Sequence, residues 1–348
     1  MPRVAVVPGD GIGVEVIAEA VAVLRQIDRS EGLGLELVPW DLGAERYLRT
    51  GVTITEEEMA ELATDYDAIL LGALGDPRVP GNEHARDILL GMRFRLDLYV
   101  NLRPVRLLHP AGSPLKAVGP GDIDMVIFRE NTEGSYVGMG GVFKQGTPDE
   151  VAIEEDISTR KGVERIIRAA FEHADRAGRR LTLADKSNAL RHSGQLWRRV
   201  FREVGAEHPG VETGVMYIDA LATDLVLRPG DYQVIVTSNL FGDILSDLAA
   251  GLVGGLGLAP SANLHPGRIG LFEPVHGSAP DIAGQGKANP VAAILAAALM
   301  LDHLGHPAAA RRVEEAVEAS IREGATTPDL GGTLGTTEVG ARIRQRLP

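Results

Sequence analysis

What most constrains the fold of this chain is a repeated change of hydrophobic period. Short runs rich in β-branched residues, such as "RVAVV" from residue 3, "YDAILLG" from 66, "IDMVIF" from 123, "RLTLAD" from 180 and "YQVIVTSN" from 232, read as strands. Between them lie stretches with helical spacing, among them "VEVIAEAVAVLRQI" and "GVERIIRAAFEHADRAG". Strands that alternate with helices imply an α/β fold with a mostly parallel core sheet. At 348 residues the chain exceeds one ordinary core, so two lobes are expected.

Composition removes several classes of function. A formal net charge of −13 argues against a nucleic-acid phosphate backbone as partner. With no cysteine there is no disulfide framework, thiolate metal site or cysteine nucleophile. "MPRVAVVPGDGIG" runs straight into a strand and glycine turn without the apolar core of a signal peptide. The stretches "VAAILAAALML" and "LAAGLVGGLGLAP" are too short to cross a bilayer, so a soluble cytoplasmic protein is expected.

The glycine turn "VAVVPGDGIGVEV" invites a dinucleotide-binding reading and fails it. Gly9, Gly11 and Gly13 give G-x-G-x-G, whereas the Rossmann fingerprint needs its third glycine one residue later. The carboxylates carry more. Asp243 and Asp247 stand four apart in "TSNLFGDILSDLAAG", where like charges on a helix face repel, and Asp219 ends "VMYIDA". Strand ends of α/β sheets converge on one crevice, and a few carboxylates with open positions suit Mg²⁺ or Mn²⁺. In the competing reading Asp243 caps its helix and Asp247 is solvated. Arg93, Arg95, Arg103 and Arg129 offer guanidinium forks for an acidic substrate, against ordinary surface pairing. Lys186 is a base whose proton affinity a neighbouring cation lowers, or an exposed strand-end charge; Tyr136 is a proton donor or a buried tyrosine. The loop "EPVHGSAPDIAGQGKANP", 273 to 290, has three glycines whose amides can approach phosphates, and its Asp281 can accept both ribose hydroxyls and repel a 2′-phosphate.

Together "PGDGIG", "NLRP", "RENTEG", "DKSNAL", "YIDA", "SNLFGDILSDLAAGLVGGLGLAPSAN" and "FEPVHGSAPDIAGQGKANP" resemble, in order along nearly the whole chain, the β-hydroxyacid oxidative decarboxylases. That family includes 3-isopropylmalate, isocitrate, homoisocitrate and tartrate dehydrogenases. The resemblance implies two lobes sharing one twisted, mostly parallel sheet, an isopropylmalate dehydrogenase-like fold and not a Rossmann fold. The larger lobe would be residues 1–100 and 250–348, and the smaller 101–249 would carry the metal site. The resemblance also implies a homodimer with shared active sites, its subunits interlocked by an arm near 140–158. Arg93, Arg103 and Arg129 would grip the malate-type carboxylate. Asp219, Asp243 and Asp247 would hold Mg²⁺ or Mn²⁺, with Lys186 and Asp219 supplied by the second subunit. Lys186 would take or relay the hydroxyl proton, and Tyr136 would protonate the enol carbon. The cofactor loop would use His276, Gly277, Ser278, Ala279, Pro280, Asp281, Ile282 and Asn289, with Asp281–Ile282 matching the NAD-using members.

The expected substrate follows from "HARDILLGMR". Leu89 and Leu90 match the apolar pair that isopropylmalate enzymes turn toward the isopropyl group. Arg86 stands where many of those enzymes have a glutamate, and could instead receive the extra carboxylate of homoisocitrate. A metal-dependent phosphoryl hydrolase also uses paired aspartates, but it has no need of the 273–290 loop. A carboxylate-binding protein would need neither Lys186 nor Tyr136.

Overall fold

The computed structural model describes residues 1–116 and 118–348, which fall into two compact units. The first comprises Met1–Leu98, Arg103–Ile123 and Ala249–Pro348, and the second Tyr99–Leu102 and Asp124–Leu248.

The first unit opens with strand β1 (Arg3–Val7) and helix α1 (Gly13–Glu31). Strand β2 (Glu36–Pro39), helices α2 (Ala44–Thr50) and α3 (Glu56–Asp65) and strand β3 (Ala68–Leu71) follow. Helix α1 buries Val16, Ile17, Ala20, Val23, Leu24 and Ile27, the three-and-four spacing of one helix face. Its end is set by Gly32 in the left-handed conformation. In α3, Thr55 and Glu58 close a reciprocal capping box. Helix α4 (Glu83–Arg95) leads to strand β4 (Val100–Arg106), on which Arg103 is buried.

The second unit holds strands β5 (Asp124–Glu130), β6 (Gly140–Phe143) and β7 (Val151–Glu154), then helix α5 (Arg160–Ala177). Strand β8 (Leu181–Asp185), helix α6 (Arg191–Gly205), strand β9 (Thr213–Tyr217) and helix α7 (Ile218–Leu227) come next. Strand β10 (Val234–Thr237) feeds α8 (Asn239–Val253). Here β5, β10, β8 and β9 pair in that order, all parallel. Every residue of β10 is buried, which is why "VIVT" is apolar and β-branched throughout rather than alternating. Helices α5 and α6 meet through Phe171 and Phe201, whose ring centroids lie 5.1 Å apart. Strands β6 and β7 form a separate antiparallel hairpin.

The chain then returns to the first unit with strands β11 (Pro260–Leu264) and β12 (Gly270–Pro274) and helices α9 (Val291–His303), α10 (Pro307–Arg322) and α11 (Thr336–Arg344). Its strands run β2-β1-β3-β12-β11, parallel except for β11 against β12. A classical dinucleotide unit would continue its strands in the order 3-2-1-4. Placing the late strand β12 beside β3 departs from that order, so the expected non-Rossmann α/β architecture is what the chain forms. Among the described residues no helix is long and apolar enough to cross a membrane.

Candidate active site

In the second unit a guanidinium, two carboxylate oxygens and a phenol converge. Parallel pairing sets Arg129 beside Thr237, at the ends of β5 and β10. That register brings Arg129 to the first turns of α8. The side chain is 1% exposed: Nε and Nη2 donate to Asn239 Oδ1 at 3.0 and 2.7 Å, and Nη1 donates to Asp243 Oδ1 at 2.5 Å. The Tyr136 hydroxyl donates to the other Asp243 oxygen at 2.5 Å, and the guanidinium lies 5.1 Å from the Tyr136 ring centroid. Gly242 makes room for this arrangement, since a Cβ there would come within 2.6 Å of Arg129 Cβ and Cγ. Asp243 is partly buried, and Asp247 is exposed one turn further along α8.

Lys186, just beyond β8, donates to Asp219 Oδ1 at 2.6 Å. This bond holds the Asp219 carboxyl below its usual range. The partner that the fold gives Lys186 within the chain is therefore an anion. Asp219 belongs to the first turn of α7 and is engaged there by Lys186 rather than by Asp243. Among the described residues no cluster of three or more histidine, aspartate or glutamate side chains could hold a metal ion. The ligand set expected from Asp219, Asp243 and Asp247 thus places two members on one face of α8 and the third elsewhere. Their chemistry, oxygen donors of ionised carboxylates, fits a hard divalent cation.

In the first unit, α4 carries Leu89 and Leu90, both partly buried, and Arg93 within the next turn. Arg93 is 5% exposed and donates from Nη2 to Glu273 Oε1 at 3.0 Å, while its buried Nε has no acceptor. Asn263 donates to the same Glu273 oxygen at 2.8 Å, fixing the carboxylate that orients Arg93. Arg95, grouped with Arg93 by sequence, instead makes a surface pair with Glu56. Arg86 is exposed and has no partner among the described residues.

The loop beyond β12 is built from the same unit. Ser278 is buried, and Ala279 holds a positive φ of 37°, a strained setting for a residue with a Cβ. Burial pushes the His276 imidazole below its ordinary range, and its Nε2 is buried without a partner. An orphaned buried nitrogen beside exposed Gly277 and Pro280 is the kind of group a bound molecule would satisfy. The Asp281 carboxylate is exposed with no partner among the described residues, Ile282 is partly buried, and Asn289 bridges Asp329 to the first turn of α9. These observations fit the adenosine half of a dinucleotide. Asn239, Glu273 and Asn263 orient the arginines; each lies inside a motif quoted above, and nothing in the local sequence marks it as an arginine's partner.

The fold and these groups define an α/β decarboxylating dehydrogenase acting on a CH–OH group. The chain belongs to the isocitrate/isopropylmalate dehydrogenase family, whose model matches residues 3–343. It is 49% identical to the 3-isopropylmalate dehydrogenase of Thermobifida fusca over 348 residues, covering 99% of this chain and 97% of that protein. The 3-isopropylmalate dehydrogenase of Corynebacterium jeikeium is 51% identical over 350 residues, covering 99% of each. The crystal structure of isocitrate dehydrogenase from Methylococcus capsulatus superposes with a TM-score of 0.91 at 38% identity, covering 100% of this chain and 99% of that one. A beta-decarboxylating dehydrogenase from Thermococcus kodakarensis gives 0.82 at 40%, covering 100% and 96%.

Proposed function

We propose that this chain catalyses the NAD-dependent oxidative decarboxylation of 3-isopropylmalate to 2-oxoisocaproate, a step of leucine biosynthesis, as a cytoplasmic homodimer with Mg²⁺ or Mn²⁺. One arrangement carries the reading. Within a turn of α4 an apolar pair, Leu89 and Leu90, stands beside a buried guanidinium whose Nε still lacks an acceptor. That pairing complements a branched alkyl group next to a carboxylate. The relatives at about half identity bear the corresponding name.

The chain's residues divide the work. Arg93, Arg103 and Arg129 orient the substrate carboxylates, and the loop from His276 to Asn289 holds the adenosine half of NAD. Asp281 accepts the ribose hydroxyls and disfavours a 2′-phosphate by charge. Lys186 takes the hydroxyl proton as hydride leaves the carbinol carbon. The resulting β-keto acid loses CO₂, and Tyr136, held at Asp243, donates a proton to the enol carbon. A divalent cation on Asp219, Asp243 and Asp247 would supply Lewis-acid stabilisation of the alkoxide and enolate charge, and NAD would accept the hydride.

Homoisocitrate is the second reading, favoured by Arg86, an unpaired cation one turn from Leu89 and Leu90. The test supplies NAD and Mg²⁺ with 3-isopropylmalate, homoisocitrate, isocitrate or tartrate and follows NADH. The highest kcat/KM is expected for 3-isopropylmalate. A preference for homoisocitrate would overturn the assignment, and Arg86→Glu should then weaken that activity selectively.

A further inference from the structure

The proposed chemistry leaves one sequence motif unused: "PGDGIG", residues 8 to 13. Its aspartate is a hub. Asp10 is 6% exposed, and its Oδ1 accepts from the Ala44 amide at 2.7 Å. Its Oδ2 accepts from the Gly75 amide at 2.8 Å and from His84 Nε2 at 2.8 Å. The Asp10 amide itself donates to the Ala73 carbonyl at 2.7 Å. One carboxylate thereby ties the glycine turn to the start of α2, to the segment after β3 and to α4.

The same turn is pressed against the loop assigned to the cofactor. The Ile12 amide donates to the Ser278 carbonyl at 2.8 Å. Gly11, at a φ of +54°, has no space for a side chain, because a Cβ would lie 2.1 Å from that carbonyl oxygen. At the far end of the hub, His84 is fully buried in the first turn of α4, the helix that carries Leu89, Leu90 and Arg93. Asn82 at the head of α4 offers no side-chain cap, and the Asp10 carboxylate adds a second negative charge to that of Glu83 near the helix start. His84 Nδ1 is buried without a partner, a cost offset by the charge-assisted bond at Nε2.

We propose that Asp10 and His84 are positioning residues that hold the Ser278 segment and helix α4 in one preformed arrangement, Asp10 acting on both and His84 on α4 alone. This depends on the reading of residues 276–289 as the NAD site. Asn at position 10 would present an amide NH₂ toward donors it now accepts from, and would release the turn under Ser278. NAD would then have to order that segment as it binds, at a cost in affinity.

The test measures NAD binding by calorimetry without substrate, both KM values, kcat and the melting temperature. Asp10→Asn is expected to weaken NAD binding roughly ten-fold and to raise KM for the hydroxy acid, with kcat at saturation falling far less. His84→Leu is expected to leave NAD affinity within about two-fold while raising hydroxy-acid KM several-fold, a split that general loosening would not give. Leu62→Ala, a cavity in the same unit's core, controls for loosening: it should lower the melting temperature and leave both constants alone. If the Asp10 and His84 variants behave like Leu62→Ala, the proposal is overturned. If the unaltered protein binds no NAD, the cofactor reading fails first and takes this inference with it; normal NAD binding with unchanged constants in both variants defeats this inference alone.

Discussion

At the scale of single residues, the like-charged pair on α8 finds part of its countercharge within the chain. Asp243 is met by Arg129, 114 positions earlier, through the β5–β10 register. Spacing marked Asp243 and Asp247 as unusual, but nothing in the local sequence could name Arg129 as the cation, because the contact exists only once two strands pair. Tyr136 stands out in the sequence as a candidate proton donor. Its hydrogen bond to Asp243 does not, since it joins a loop to a helix more than a hundred residues away. The geometry fixes an expectation for this residue. Tyr136→Phe keeps the ring over Arg129 and removes only the hydroxyl, so binding should persist while the protonation step suffers. Turnover is expected to fall by about 10²- to 10⁴-fold, the usual worth of a positioned general acid, with KM for the hydroxy acid within a few-fold. Steady-state NADH formation against substrate concentration separates the two. Equal losses in kcat/KM carried by KM alone would remove Tyr136 from the chemistry.

At the scale of elements, the periodicities were the most readable part of the sequence and the buried polar groups the least. Helix α9 could be read as a buried element from "VAAILAAALML", and β10 from "VIVT", because burial on several faces leaves no polar stripe. That His303 of α9 packs on Phe272 of β12, and His173 of α5 on Phe128 of β5, could not be seen there. Helix-to-sheet packing half-buries both imidazoles, and that desolvation pushes both below the ordinary histidine range, as it does His276. The sign follows. Below about 6.5 the unfolded chain takes up protons on these three side chains while the folded chain resists, so the unfolded state binds more protons and stability falls with pH. Above that value both states are neutral there, and these groups contribute no slope. Melting temperature should therefore decline from about pH 7 to 5, in the window between the unfolded and the depressed folded values. His173→Phe, which leaves an aromatic ring against Phe128, should flatten that decline; an unchanged slope would mean that His173 is protonated in the folded protein.

At the scale of the molecule, the sequence carried the α/β class and most of the residues that converge, whereas which chain supplies each residue lies beyond any single chain. The proposed dimer makes that question measurable. Strands β6 and β7 form a hairpin whose Phe143, Val142, Ile153 and Val151 are 65, 52, 51 and 46% exposed. A two-stranded ribbon with that much uncovered apolar surface is marginal in water, and in the proposed dimer the second subunit would cover it. Phe143→Asp with Ile153→Asp is expected to shift sedimentation toward monomer and abolish turnover, because each proposed site borrows Lys186 and Asp219. A sharper test uses two inactive proteins. Lys186→Met and Tyr136→Phe are each silent as homodimers, but a mixed dimer contains one site with both groups intact if Lys186 acts across the interface. Random mixing makes half of the dimers mixed with one of two sites restored, so activity should recover to roughly a quarter of the unaltered enzyme. If subunits exchange and no activity returns, Lys186 serves the Tyr136 of its own chain. Its bond to Asp219 within one chain would then describe the working site rather than the unassembled one.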